Sequence, residues 1–188
     1  MSYRIGLDLG GTKVLGVVTD SDHKVIHRKK HRLSNRADIS AVMDQTSNVY
    51  TSLTEQAGGE EIASVGIALP SPVDNELGHA KHLTAFQEKE LPVRDMLKER
   101  TGVDIKLGND VNMATLAEYK FGAGKGVSSL FTFYPGTGLG GGYIYKGKLV
   151  TGFNSTAAEV GHVVINIDGP LCKCGRHGCL EAIVSYHG

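Results

Sequence analysis

The chain opens on short runs in which apolar and polar residues alternate. Residues 3–9 and 14–20 are β-rich and joined by Gly10-Gly11-Thr12-Lys13, and residues 24–31 supply a third run, which predicts an antiparallel meander. The period then changes. Ile39, Val42, Met43, Thr46, Val49, Tyr50 and Leu53 recur at three- and four-residue spacing, so an amphipathic helix is expected, stopped by Gly58-Gly59 and laying its apolar stripe on a sheet. Residues 63–69 read as a buried strand ended by Pro70 and Pro72, residues 93–100 as a short helix ended by Gly102, and residues 104–107 as a further strand. That strand delivers Asn109 and Asp110 to its own end. Residues 111–121 form the next helix, and the glycine-rich stretch 122–126 breaks it. A domain boundary is expected there, giving a first domain over 1–121 and a second over 122–188.

The opening pattern then returns in outline. Residues 128–134 read as a strand, 136–142 as a glycine-rich turn, and 143–150 as a second strand pair with its own Lys-Gly-Lys turn. Such a duplication suggests an α/β protein of two related lobes whose facing glycine turns grip a phosphate-bearing ligand.

Composition removes several function classes. Lys plus Arg (20) balances Asp plus Glu (20), so no net field draws the chain to nucleic acid or an anionic membrane. The densest basic run, 27–32, lacks interleaved aromatics and reads as a solvated strand and loop. No apolar segment approaches the ~20 residues a membrane helix needs. The amino terminus lacks the apolar stretch of a signal peptide, so a cytoplasmic setting is expected.

The chemistry sits in four places. Asp8-Leu9-Gly10-Gly11-Thr12-Lys13 offers unobstructed backbone N–H groups, a hydroxyl and a cation to a polyphosphate, and Asp8 at the strand end suits a hydrated Mg2+ ion travelling with nucleotide phosphates. An ordinary hairpin turn is the plain alternative. Gly136, Gly138 and Gly141 match the dinucleotide pattern G-x-G-x-x-G, but a strand rather than a helix follows, so Gly136-Thr137-Gly138 is read as a phosphate nest between strands. All three cysteines, Cys172, Cys174 and Cys179, fall in one short window, and with His162 they make a tetrahedral zinc set with no open position, hence structural. His177 is a rival ligand for the same ion. Asp110 is a carboxylate delivered to a strand end, with a helix N-cap as its plain role.

These motifs, together with Asn109-Asp110, Glu159-Val160-Gly161-His162 and the run Cys172-Lys173-Cys174-Gly175-Arg176-His177-Gly178-Cys179-Leu180-Glu181, come in the order seen in the ROK family of repressors, uncharacterised frames and sugar kinases. The chain resembles the glucokinase-like members. The resemblance implies an actin-like ATPase, ribonuclease-H-like duplicated fold that moves the ATP γ-phosphate to glucose or a related hexose, in a homodimer. It implies Asp110 as general base, and Asn109, Glu159, His162 and Glu181 as sugar-hydroxyl ligands, with His162 also joining the sugar site to zinc. Departures stand out. Ser71 replaces a usual glycine in Pro70-Ser71-Pro72-Val73-Asp74, and Lys81-His82-Leu83-Thr84-Ala85-Phe86 stands where the family often has Pro-Asn before an aromatic, so His82 takes the place of an Asn sugar ligand. The sequence stops at Gly188 as a helix after Glu181 begins, so a carboxy-terminally truncated second domain is expected. Beside the kinase stand two other readings: a regulator that senses sugar, for which no DNA-binding helix-turn-helix precedes Tyr3, and a catalytically silent fragment binding sugar and zinc.

Overall fold

The computed structural model describes residues 2–185. The chain forms two compact units, Met1–Asp110 and Val111–Gly188.

In the first unit a five-stranded sheet has the order β3-β2-β1-β4-β8, built from β1 (Ser2–Leu9), β2 (Lys13–Thr19), β3 (Val25–Arg32), β4 (Glu61–Leu69) and β8 (Ile105–Asn109). The first three strands are the expected antiparallel meander, whereas β4 runs parallel to β1 and β8 parallel to β4. Helix α1 (Ile39–Gln56) makes the crossover from β3 to β4; Asp38 caps it, its carboxylate accepting the N–H groups of Ser40 and Ala41. Its buried stripe of Val42, Met43, Thr46, Val49, Tyr50 and Leu53 joins Leu7, Leu9, Val14, Val18, Ile67 and Leu69 of the sheet in one core. Removing each such leucine from water contributes roughly 1.5–3 kcal/mol. Gly16 of β2 admits α1 closely, since a Cβ there would lie 2.6 Å from Leu53 Cδ1. Helix α2 (Val93–Thr101) ends where Gly102 takes φ +73°, as its sequence position predicts.

A three-stranded sheet of β5 (Val73–Asp74), β6 (His79–Leu83) and β7 (Glu88–Leu91) lies between β4 and α2 in sequence, and hydrophobic periodicity gave no sign of it. These strands are short and mostly polar, and their turn is set by side-chain bonding: Asp74 Oδ1 accepts the N–H groups of Glu76 and Leu77, 3.0 Å each.

The second unit contains α3 (Asp110–Phe121) from Val111 onward, a sheet of order β11-β10-β9, and a long loop leading to the short helix α4 (Glu181–Val184). The strands are β9 (Ser129–Pro135), β10 (Leu139–Tyr145) and β11 (Lys148–Leu149). The division falls ahead of α3, whereas the sequence reading drew it after residue 121; Thr115 of α3 hydrogen-bonds Thr132 of β9, which ties the helix to this sheet. The expected glycine turn over 136–142 is corrected: only residues 136–138 turn, and Gly140, Gly141 and Gly142 lie inside β10. The glycines serve close packing instead. A Cβ at Gly140 or Gly142 would strike Val111 or Thr115 of α3, and one at Gly141 would strike the Ala158 carbonyl and Val160. Leu139, Ile144, Cys172 and Cys179 are the buried apolar side chains of this unit among the described residues, while Phe131, Phe133 and Tyr145 are exposed.

Candidate active site and metal cluster

In the first unit the turn over residues 10–13 is held by three hydrogen bonds. Gly10 N–H donates to the Lys13 carbonyl (2.9 Å), Leu33 N–H to the Thr12 carbonyl (2.9 Å), and Arg36 Nη1 to the Gly11 carbonyl (3.0 Å). A Cβ on Gly11 would come within 2.9 Å of Ala85 Cβ, so the turn presses on the one-turn 3-10 helix after β6. Thr12 and Lys13 are exposed and, with Lys30 and Arg32 of the adjoining strand, line a shallow cavity of about 270 Å³. Partial burial of the Asp8 carboxyl holds its pKa above the ordinary value, and the nearby Lys13 ammonium opposes that rise.

Pairing of Leu69 with Asn109 brings the ends of β4 and β8 side by side. The Asn109 amide donates to Asp110 Oδ1 (3.0 Å) and to the Ser71 carbonyl (3.4 Å), which orients the carboxylate at the start of α3. His82, on β6, is exposed, and its backbone N–H donates to Ser71 Oγ (2.9 Å). Asp110, Asn109 and His82 are thus joined through Ser71, a residue the sequence marked only as a mild departure from glycine.

In the second unit the Gly136–Leu139 region is fixed by a carboxylate. Glu181 Oε2 accepts the Leu139 N–H at 2.8 Å, and a Cβ at Gly138 would lie 2.5 Å from the same oxygen. Glu181 was read as a sugar ligand; in the structure its carboxylate also braces this turn and approaches Cys172 Sγ at 3.9 Å. Glu159 is exposed and immediately precedes the 3-10 turn that carries His162.

His162, Cys172, Cys174 and Cys179 converge, with ligand atoms all within 4.8 Å of one another. A tetrahedron with ~2.3 Å metal–sulfur bonds has edges of about 3.7 Å. Cys174 Sγ to Cys179 Sγ is 3.6 Å and Cys172 Sγ to His162 Nδ1 is 3.7 Å, so the set fits a zinc-sized ion. His177, the rival ligand, bonds the Gly169 carbonyl through Nδ1 (3.0 Å) and lies outside the group. Hydrogen bonds from the Arg176 backbone and guanidinium bring the Cys174 thiol down to about 6, whereas burial pushes Cys179 up to about 11. The loop is wound tightly: Cys172 N–H donates to the Arg176 carbonyl (2.8 Å) across Gly175 at φ +88°, and Gly178 at φ +69° faces the Asn166 carbonyl so closely that any Cβ would collide with it.

Fold and motifs together define a member of the actin-like ATPase fold with a cysteine–histidine cluster, and the chain belongs to the ROK family, whose model matches residues 4–188. It is 37% identical over 182 residues to a glucokinase of Thermotoga maritima, covering 96% of this chain and 56% of that protein. A ROK family glucokinase from Streptomyces griseus, solved in complex with glucose and AMPPNP, superimposes with a TM-score of 0.84 at 32% identity, over 97% of this chain and 57% of that one. The DNA-binding transcriptional repressor Mlc of Escherichia coli is 27% identical over 185 residues, covering 97% of this chain and 46% of the repressor. The chain therefore spans little more than half the length of the glucokinases it matches. Among the described residues no helix is long and apolar enough to cross a membrane.

Proposed function

We propose that this chain carries the sugar-binding and proton-accepting part of an ATP-dependent hexose kinase, which transfers the γ-phosphate to the primary hydroxyl of glucose or a related sugar. The observation that carries the reading is the Asn109–Asp110 pair at the end of β8, the amide holding the carboxylate at 3.0 Å. Likeness over nearly the whole chain to a glucokinase solved with glucose and AMPPNP supports it. Asp110 acts as general base, taking the proton of the attacking hydroxyl; Asn109, His82, Glu159, His162 and Glu181 bind the other hydroxyls. Phosphoryl transfer depends on positioning and charge stabilisation. The backbone of Gly10, Gly11, Gly136 and Gly138, with Thr12, Thr137 and Lys13, would hold the phosphates, and Asp8 would bind the magnesium ion that accompanies ATP, which would supply charge neutralisation. His162, Cys172, Cys174 and Cys179 would hold a structural zinc ion, which would stiffen the loop bearing Glu159 and Glu181. Thiolate ligands of this kind suit a reducing cytoplasm, and homodimerisation belongs to the same proposal.

The test is a coupled assay of ATP-dependent phosphorylation of glucose, mannose, fructose, N-acetylglucosamine and N-acetylmannosamine by the chain and by Asp110→Asn. Turnover that falls by ~10²-fold or more in the variant is expected, the scale of a lost general base. A second reading, a sugar sensor without catalysis, draws on the likeness to the Mlc repressor. Sugar binding by calorimetry with no turnover in either protein would favour it and sink the kinase.

A further inference from the structure

We propose that Ser71 is the residue that positions the sugar end of the site, a role that rests on the hexose kinase reading. Ser71 is 2% exposed and sits just past the end of β4. Its hydroxyl donates to the Pro72 carbonyl (2.8 Å) and accepts the backbone N–H of His82 (2.9 Å), while its own carbonyl receives the Asn109 amide (3.4 Å). The Pro72 carbonyl also takes the Lys81 N–H (2.9 Å), so the hydroxyl completes a closed set of bonds between the β4 end and β6. One buried side chain thereby fixes the backbone carrying His82. Its main chain fixes Asn109, which in turn holds Asp110.

The chemistry explains why a hydroxyl is needed at this place. A serine Oγ can donate and accept at once, so it bridges the Pro72 carbonyl, which also takes the Lys81 N–H, and the His82 N–H, for which it is the acceptor. Glycine, the residue expected here from the family pattern, leaves the His82 N–H to find another acceptor, and β6 then shifts relative to Asn109. In this chain, where His82 replaces the usual Asn, a sugar contact from β6 requires that the strand be held in register with the end of β8. Ser71 touches neither sugar nor phosphate; it acts through His82 and Asn109, and its effect belongs to sugar affinity and not to ATP.

The experiment compares the full chain with Ser71→Ala, Ser71→Gly and Ser71→Thr, measuring KM for the preferred sugar, KM for ATP, kcat, and hydrogen exchange at the His82 amide. The expected result for Ser71→Ala is a rise of about tenfold in sugar KM, the scale of one lost hydrogen bond, with ATP KM and kcat within about twofold. His82 amide exchange should accelerate in Ser71→Ala and Ser71→Gly, and Ser71→Thr, which keeps the hydroxyl, should restore both readings. An unchanged sugar KM in an active Ser71→Ala, or equal losses in sugar KM, ATP KM and kcat, overturns the positioning role while leaving the kinase intact. If the parent chain neither binds nor phosphorylates any sugar, the kinase reading fails and this proposal fails with it. The exchange measurement stands even where a variant is too unstable for kinetics, since unchanged His82 protection in any folded Ser71→Gly protein also overturns it.

Discussion

The two glycine turns, 10–12 and 136–138, join antiparallel strand pairs of the same kind but are held by opposite chemistry. In the first unit a guanidinium donates to a carbonyl: Arg36 reaches Gly11 at 3.0 Å, and both groups are near solvent. In the second a carboxylate accepts an amide: Glu181 takes the N–H of buried Leu139 at 2.8 Å. Behind the first turn stands an apolar core running from Ile5 to Leu107. Behind the second there are few buried apolar side chains, and in their place stand a glycine strand that lets α3 approach closely and a cluster of three thiols and an imidazole. One motif thus rests on hydrophobic burial and the other on close backbone packing and metal-type ligation.

The largest expected effect is therefore metal removal. Zinc-bound chain stripped by a strong chelator, or carrying Cys179→Ser, should lose protection from hydrogen exchange over residues 160–181, while amides of β1, β2 and β4 keep theirs. Structural zinc in small peptides contributes roughly 10 kcal/mol or more, which the few buried side chains of the second unit have no means to replace. Uniform loss of protection in both units would erase the contrast.

An intermediate effect should come from the anchors themselves. Glu181→Ala leaves the Leu139 N–H unmatched and should cost about 2 kcal/mol in denaturant unfolding of the second unit. Arg36→Ala, which removes an exposed side chain, should cost under ~1 kcal/mol. Equal losses would mean that the two turns depend on their anchors alike.

The smallest effect concerns pH. The folded-state pKa of Asp8 is raised by burial against the pull of Lys13, so its contribution favours the native state below the ordinary carboxylate range and is lost as pH rises through the raised value. Asp8→Asn should accordingly raise the urea midpoint at pH 7 and lose that advantage below about pH 4. A variant less stable than the parent at pH 7 would show that Lys13 outweighs burial.

Much of this arrangement was readable before any coordinates. Period-2 and period-3.6 patterning located β1, β2, α1 and α2 to within a residue or two, because each buries apolar side chains on one face, whereas β3, with no buried residue, reads as a solvated strand. The cysteine spacing with His162 pointed to the cluster that the structure assembles. Glycines 140–142 misled for a physical reason: the residue that makes turns easy also lets a helix approach a strand, and sequence alone does not separate the two uses. The sheet of β5, β6 and β7 is hard to read in the sequence because its buried Val73, Ala80, Leu83 and Leu91 stand singly among polar residues, and Asp74 and Ser71 side chains complete its anchoring. For the same reason Ser71 looked like an innocuous loop residue.

Gly178 carries a consequence for anyone who would transplant the metal loop. Its φ is +69°, and the space where a side chain would begin is filled by the Asn166 carbonyl, which accepts the Gly169 N–H, while the N–H groups of Ile165 and Asn166 donate to the Gly178 carbonyl. Grafting the His162, Cys172, Cys174 and Cys179 cluster onto another scaffold would therefore fail unless the 165–169 backbone travelled with it, because the portable unit is a pair of interlocked backbone segments and not a list of cysteines.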